Sequence, residues 1–168
     1  SGEIFYDDTS IKEFNIKSLR EKIGYVPQDP FLFNTSIRKN IMWGNPSVNE
    51  NEIYNLLSEI NAKNFVENSP QKLETIVGER GLKVSGGQRQ KIALARALVR
   101  KPEILILDES LSSMDVNSSE IINKYLKELS KKITIINITH KIEHTKYSDK
   151  VILVKDNQYK EVSNITTY

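Results

Sequence analysis

Ser85-Gly86-Gly87-Gln88-Arg89-Gln90-Lys91-Ile92-Ala93-Leu94-Ala95-Arg96-Ala97-Leu98 runs from a glycine pair into Ala- and Leu-rich sequence; beyond Pro102 comes Ile104-Leu105-Ile106-Leu107-Asp108-Glu109. Gly78, Gly81, Gly86 and Gly87 are four of the chain's seven glycines, so 78–87 reads as a loop, and Gln88 opens a helix ending near Arg100. Ile104 to Leu107 lacks polar alternation, which predicts a strand buried on both faces in a parallel sheet, and Ile133 to Ile138 carries the same expectation. Between them Ile121, Ile122, Tyr125, Leu126 and Leu129 form one helical face. Strand, helix and strand in this order make a βαβ unit, and the class is α/β.

Further out, residues 3–6 and 23–26 read as short strands, and Pro27 and Pro30 bound a loop that holds Gln28. From about 36 to 76 the pattern turns helical. Ile53, Leu56, Leu57 and Ile60 fall at i, i+3, i+4, i+7 behind Asn49 or Asn51 as cap, and the stretch reads as a helical insertion.

The chain has 168 residues, 24 basic and 22 acidic, with the charges interspersed. No basic stripe announces a nucleic-acid partner. There is no cysteine, which excludes a disulfide framework and a thiolate metal site and suits a reducing compartment. The apolar runs are far shorter than the ~18–20 residues of a membrane helix. The start, Ser1-Gly2-Glu3-Ile4-Phe5-Tyr6, opens directly into strand-like sequence, and we expect the chain to be part of something longer.

Val84-Ser85-Gly86-Gly87-Gln88 places a hydroxyl and two bare backbone positions where a loop enters a helix, which suits an oxyanion such as phosphate. The same string equally suits an ordinary helix cap. Asp108 and Glu109 end a strand, where ligands collect in parallel sheets: one carboxylate can serve Mg²⁺, the other can orient and deprotonate water. Taken alone, the pair also fits solvated acids at a strand end. His140 follows the strand ending at Ile138 and can donate to a phosphate oxygen; His144 reads as a surface residue. Gln28 has an amide oxygen to offer to metal or water, or simply to solvent.

Taken together these strings resemble the nucleotide-binding domain of the ATP-binding-cassette family over nearly the whole chain. Val26-Pro27-Gln28-Asp29 resembles the Q-loop, Val84 to Gln88 the signature motif with Val for the usual Leu, and Ile104 to Asp108 the Walker B strand. Glu109 is similar to the catalytic glutamate, Ser112-Ser113-Met114-Asp115 to the D-loop and His140 to the switch histidine. Thr75-Ile76-Val77-Gly78-Glu79-Arg80-Gly81 resembles the X-loop of exporters, and Phe31-Leu32-Phe33-Asn34 and Ile41 to Pro46 are similar to the exporter pattern.

The resemblance implies a P-loop NTPase-like parallel sheet core with a helical subdomain at about 30–85. It also implies ATP and Mg²⁺ as cofactors, and hydrolysis coupled to export. In its terms Glu109, His140 and Gln28 are catalytic, and Asp108 with Gln28 serves the metal. Ser85, Gly86, Gly87, Gln88 and Asp115 contact nucleotide. The implied partners are a second cassette, paired head to tail, and a transmembrane domain, at the cytoplasmic face of a membrane and without nucleic acid. A Gly-x-x-x-x-Gly-Lys-Ser/Thr string is absent from this sequence, so the expectation is of a domain truncated at its N-terminus and inactive by itself. A non-transport cassette ATPase and a non-catalytic cassette remnant are the alternatives; the X-loop string speaks against the first.

Overall fold

The computed structural model describes residues 2–156 and 158–162; Ser1 and the final stretch 163–168 of the expected domain lie outside them. A short antiparallel ribbon, β1 (Phe5–Tyr6) and β2 (Thr9–Ser10), precedes α1 (Ile16–Lys22) and β3 (Ile23–Val26). Three helices follow, α2 (Ile37–Met42), α3 (Glu50–Glu59) and α4 (Lys63–Glu67), and then α5 (Gly86–Leu98). The chain continues through β4 (Ile104–Asp108), α6 (Val116–Leu129) and β5 (Thr134–Ile138) to an antiparallel hairpin, β6 (Val151–Lys155) and β7 (Gln158–Val162).

The central sheet has the order β3-β4-β5, all parallel, with Val26, Leu107 and Asn137 in one row. The expected βαβ unit is β4-α6-β5, and the α/β class holds. Helix α5 packs on β3 at Gly24, where a Cβ would lie 3.1 Å from Pro102 Cγ and 3.2 Å from Leu105 Cδ1, a tight fit that a larger residue would have to push slightly apart. Val26, Leu105 and Leu107 are fully buried beneath the helices, in one core with Ile92, Leu94, Ile122 and Leu126.

The sheet departs from expectation on its other face. Ile136 and Ile138 are 47% and 49% exposed and Tyr25 is 53% exposed, because every helix packed on the sheet among the described residues lies on the Val26–Leu107 side. The run in β5 is therefore open on that face, while Ile104 and Ile106 of β4 are half-buried there.

Within the helical stretch, Asn49 is the cap. Its Oδ1 accepts from Glu52 N at 2.9 Å while Glu52 returns a bond to Asn49 N at 3.1 Å, which satisfies two otherwise orphaned helix donors. Ile53, Leu57 and Ile60 are fully buried, as their spacing requires. The two ends of the stretch are tied together: Ile37 N donates to Thr75 O and Val77 N to Thr35 O, both at 3.0 Å.

Candidate active site

Parallel strands deliver their following residues to one edge. Gln28 lies two residues past β3, Glu109 one past β4 and His140 two past β5. Glu109 holds φ at 47°, a costly left-handed conformation for a side chain with a Cβ, and is fastened there by its N–H donating to Ile138 O at 2.9 Å. This aims the carboxylate at its neighbours. Gln28 Nε2 donates to Glu109 Oε2 at 2.8 Å, and His140 Nδ1 lies 3.3 Å from the same oxygen. Oε1 has no hydrogen-bond partner among the described residues, so it is available to accept a proton from water.

Asp108 faces the open side of the sheet, where the Tyr25 hydroxyl donates to its Oδ2 at 3.0 Å. That bond, with some desolvation, raises the Tyr25 pKa. No cluster of three or more His, Cys, Asp or Glu able to hold a metal alone exists among the described residues. Asp108 offers a carboxylate and Gln28 an amide oxygen without a partner among the described residues, hard oxygen donors of the kind that suits Mg²⁺ shared with phosphate oxygens rather than a protein cage.

The other expected residues form a second patch. Ser85 Oγ accepts from Gln88 N at 3.2 Å and Gln88 Oε1 accepts from Ser85 N at 3.0 Å, so Ser85 and Gln88 are a capping box for α5. Gly86 and Gly87 pack against Ser113: added Cβ atoms would sit 3.4 Å from its Oγ and 3.3 Å from its carbonyl oxygen, respectively. Asp115 caps α6 by accepting from Ser118 N at 2.8 Å, and that backbone bond leads the causes that lower its pKa. The start of α5 and loop 112–115 are therefore one continuous surface. Among the described residues, this patch meets the Gln28, Asp108, Glu109 and His140 set through one backbone bond, Ser112 N donating to Glu109 O at 3.0 Å.

Several participants escaped the sequence reading. His144, expected at the surface, is 5% exposed, because the 3₁₀ turn Ile142–Tyr147 folds its ring back onto Thr139 Oγ1, 3.2 Å from Nδ1. Lys91 is partly buried, which lowers its pKa, and donates to Asn61 O at 2.7 Å and Ser118 Oγ at 2.9 Å. Ser110, beside Glu109, is buried with a hydroxyl that has no partner among the described residues, and Gln90 of α5 reaches the Gln28 carbonyl. Helical spacing places Gln90 two residues past Gln88 on a different face, but no local signal shows what that face meets.

The family model described as ABC transporter matches residues 1–112. The heterocyst differentiation ATP-binding protein HepA of Nostoc is 43% identical over 163 residues, which are 97% of this chain and 27% of that protein. A putative multidrug export ATP-binding/permease protein of Staphylococcus aureus is 40% identical over 156 residues, 93% of this chain and 27% of that protein. A solved structure of a bacterial Atm1-family ABC exporter with ATP bound superposes with a TM-score of 0.88 at 34% identity, covering 94% of this chain and 27% of that one. The chain thus spans about a quarter of the length of these relatives.

Proposed function

The chain belongs to the ABC transporter family, and from that premise we propose that it contributes to the nucleotide-hydrolysing domain of an exporter. The observation that carries this reading is the convergence of Gln28 and His140 on one oxygen of Glu109, at the carboxyl ends of three parallel strands. Glu109 is the general base: its unpartnered Oε1 takes the proton of the attacking water. His140 and Gln28 fix the carboxylate's orientation through the other oxygen, and His140 is placed to donate to a phosphate.

Asp108, with the Gln28 amide oxygen, would hold Mg²⁺, which would supply charge neutralisation on the phosphate oxygens when bound. Gly86 and Gly87, with no N–H partner among the described residues, present a helix start to a nucleotide held by a second cassette, and Ser85, Gln88 and Asp115 stand beside them as further contacts. We take about 30–85 as the helical subdomain.

The export reading rests on the names of the relatives and on an exposed aromatic group in that subdomain. Phe31 packs edge-on to Phe33 at 5.3 Å and Phe33 lies 4.3 Å from Trp43, yet Phe31 and Trp43 are 54% and 66% exposed. Such a patch, near 75–81, suits a transmembrane domain as partner and a place at the cytoplasmic face of a membrane.

The test is phosphate release from MgATP by the full-length protein. Glu109→Gln, which keeps size and loses the base, is expected to retain nucleotide and to lower turnover by about 10²–10⁴-fold. Wild-type turnover in that variant shows that Glu109 is not the general base.

A further inference from the structure

Helix α5 starts at the Ser85 turn and, one turn on, buries the amide of Gln90, which is 3% exposed. Gln90 Nε2 donates to the backbone oxygen of Gln28 at 3.3 Å, while Gln90 Oε1 has no partner among the described residues. The carbonyl of Gln28 only accepts, so the amide must present its nitrogen there and leave its oxygen dry. A buried acceptor without a donor is costly, and an apolar side chain of equal length would avoid the cost and pack as well. Stability alone gives no reason for glutamine at this position; the bond to Gln28 does.

The loop beyond Gln28 is held by α5 a second time. Arg96 Nη1 donates to Phe31 O at 2.9 Å, and its Nε and Nη2 hold Asn40 O at 2.9 Å and Asn40 Oδ1 at 2.8 Å. Asn40 in turn accepts from Phe33 N at 2.9 Å. Residues 28–33 are thereby pinned to α5 at Gln90 and again at Arg96, about 9 Å along the helix at its usual rise.

We propose that Gln90 is a positioning residue for hydrolysis. It holds the Gln28 backbone where the Gln28 side chain reaches Glu109, and so ties the base of this cassette to the helix whose first turn faces the neighbouring nucleotide. The assignment rests on the ATPase reading above. Because such coupling is reciprocal, a shift of α5 on nucleotide contact at Ser85 moves Gln28 relative to Glu109, and the converse also holds.

The experiment is Gln90→Met in the full-length protein: similar length, with neither donor nor acceptor. The expected result is an unfolding temperature unchanged or raised, and kcat for ATP lowered about ten- to a hundredfold with KM within about twofold. In a Gln28→Ala background the same substitution adds no further loss, since the route to Glu109 is already cut. Amide hydrogen exchange in 27–33 quickens while that of α5 stays as it was. Wild-type kcat in Gln90→Met, or a full additional loss on top of Gln28→Ala, overturns the proposal. The exchange measurement needs no turnover: unchanged exchange in 27–33 overturns it too, whereas faster exchange in a protein that hydrolyses no ATP supports the Gln90–Gln28 link and retires the ATPase reading instead.

Discussion

Gln28 and Glu109, 81 residues apart in sequence, meet through a 2.8 Å bond from the amide nitrogen to Oε2, the oxygen that His140 Nδ1 also approaches at 3.3 Å. Both approaches fall on Oε2 and leave Oε1 for water. Gln28→Glu replaces the donor by an acceptor of the same length and sets two carboxylates against each other, turning an attraction into a repulsion. The kcat for ATP turnover is expected to fall by about ten- to a hundredfold. Wild-type kcat in Gln28→Glu shows that Gln28 does not face Glu109 during turnover.

Ser85 has two separable duties: it caps α5, and in our reading it faces a phosphate. Ser85→Ala loses the cap, for which about 1 kcal/mol of stability is the expected loss. Ser85→Asp keeps an acceptor for Gln88 N but sets a negative charge against the nucleotide. Ser85→Asp is therefore expected to unfold like wild type and to fail in MgATP-dependent pairing of cassettes, read by light scattering. Pairing as strong as that of wild type removes the phosphate duty and leaves the cap.

The parts of the molecule that local sequence determines were legible in it. The apolar run of β4, the spacing of Ile53, Leu57 and Ile60, and Asn49 as a cap each depend on residues within a few positions of one another. The site was legible in pieces: Glu109 and His140 read as residues at strand ends. That β3 lies beside β4, so that Gln28 meets Glu109, is a long-range pairing that no window of sequence contains. The resemblance to a family supplied that neighbourhood, and the structure supplied the distances. What stayed hidden depends on tertiary packing alone: Gln90 sits in a polar run, Gln88 to Lys91, that reads as a solvated helix start, yet it is buried against the loop of Gln28. His144 likewise lies in a charged stretch whose 3₁₀ turn hides its ring, and the exposure of Ile136 and Ile138 follows from which side of the sheet the helices take.

Gly44 closes α2 against α5. A Cβ there would lie 2.0 Å from Arg96 O and 3.0 Å from Val99 Cγ2, and the nearer obstacle is helix backbone that cannot swing aside. Gly44→Ala therefore forces the two helices apart where Arg96 holds Asn40. Destabilisation of about 2–3 kcal/mol is expected, as for overpacking in a dense core, measured as a lowered midpoint of thermal unfolding. A midpoint equal to wild type contradicts the close helix contact.

His144 gives the fold a pH dependence whose sign can be worked out. Burial first, then the Lys141 and His140 charges, lowers its pKa from the ordinary value, with Glu143 opposing. The folded state thus prefers the neutral ring, while the unfolded chain takes up a proton near pH ~6.5. Below that pH the unfolded state binds more protons than the folded state, so stability rises with pH across this window. The contribution is complete above the unfolded pKa and is lost as pH falls through the lower folded value. The unfolding temperature of wild type is expected to drop between pH 7.5 and 5.5 by more than that of His144→Asn, which has no proton to gain and keeps a polar partner for Thr139. The remaining titrations are common to both proteins and cancel in the difference. Equal pH dependence in the two would show that the imidazole is not held neutral in the folded state, and that the turn Ile142–Tyr147 opens to let it charge.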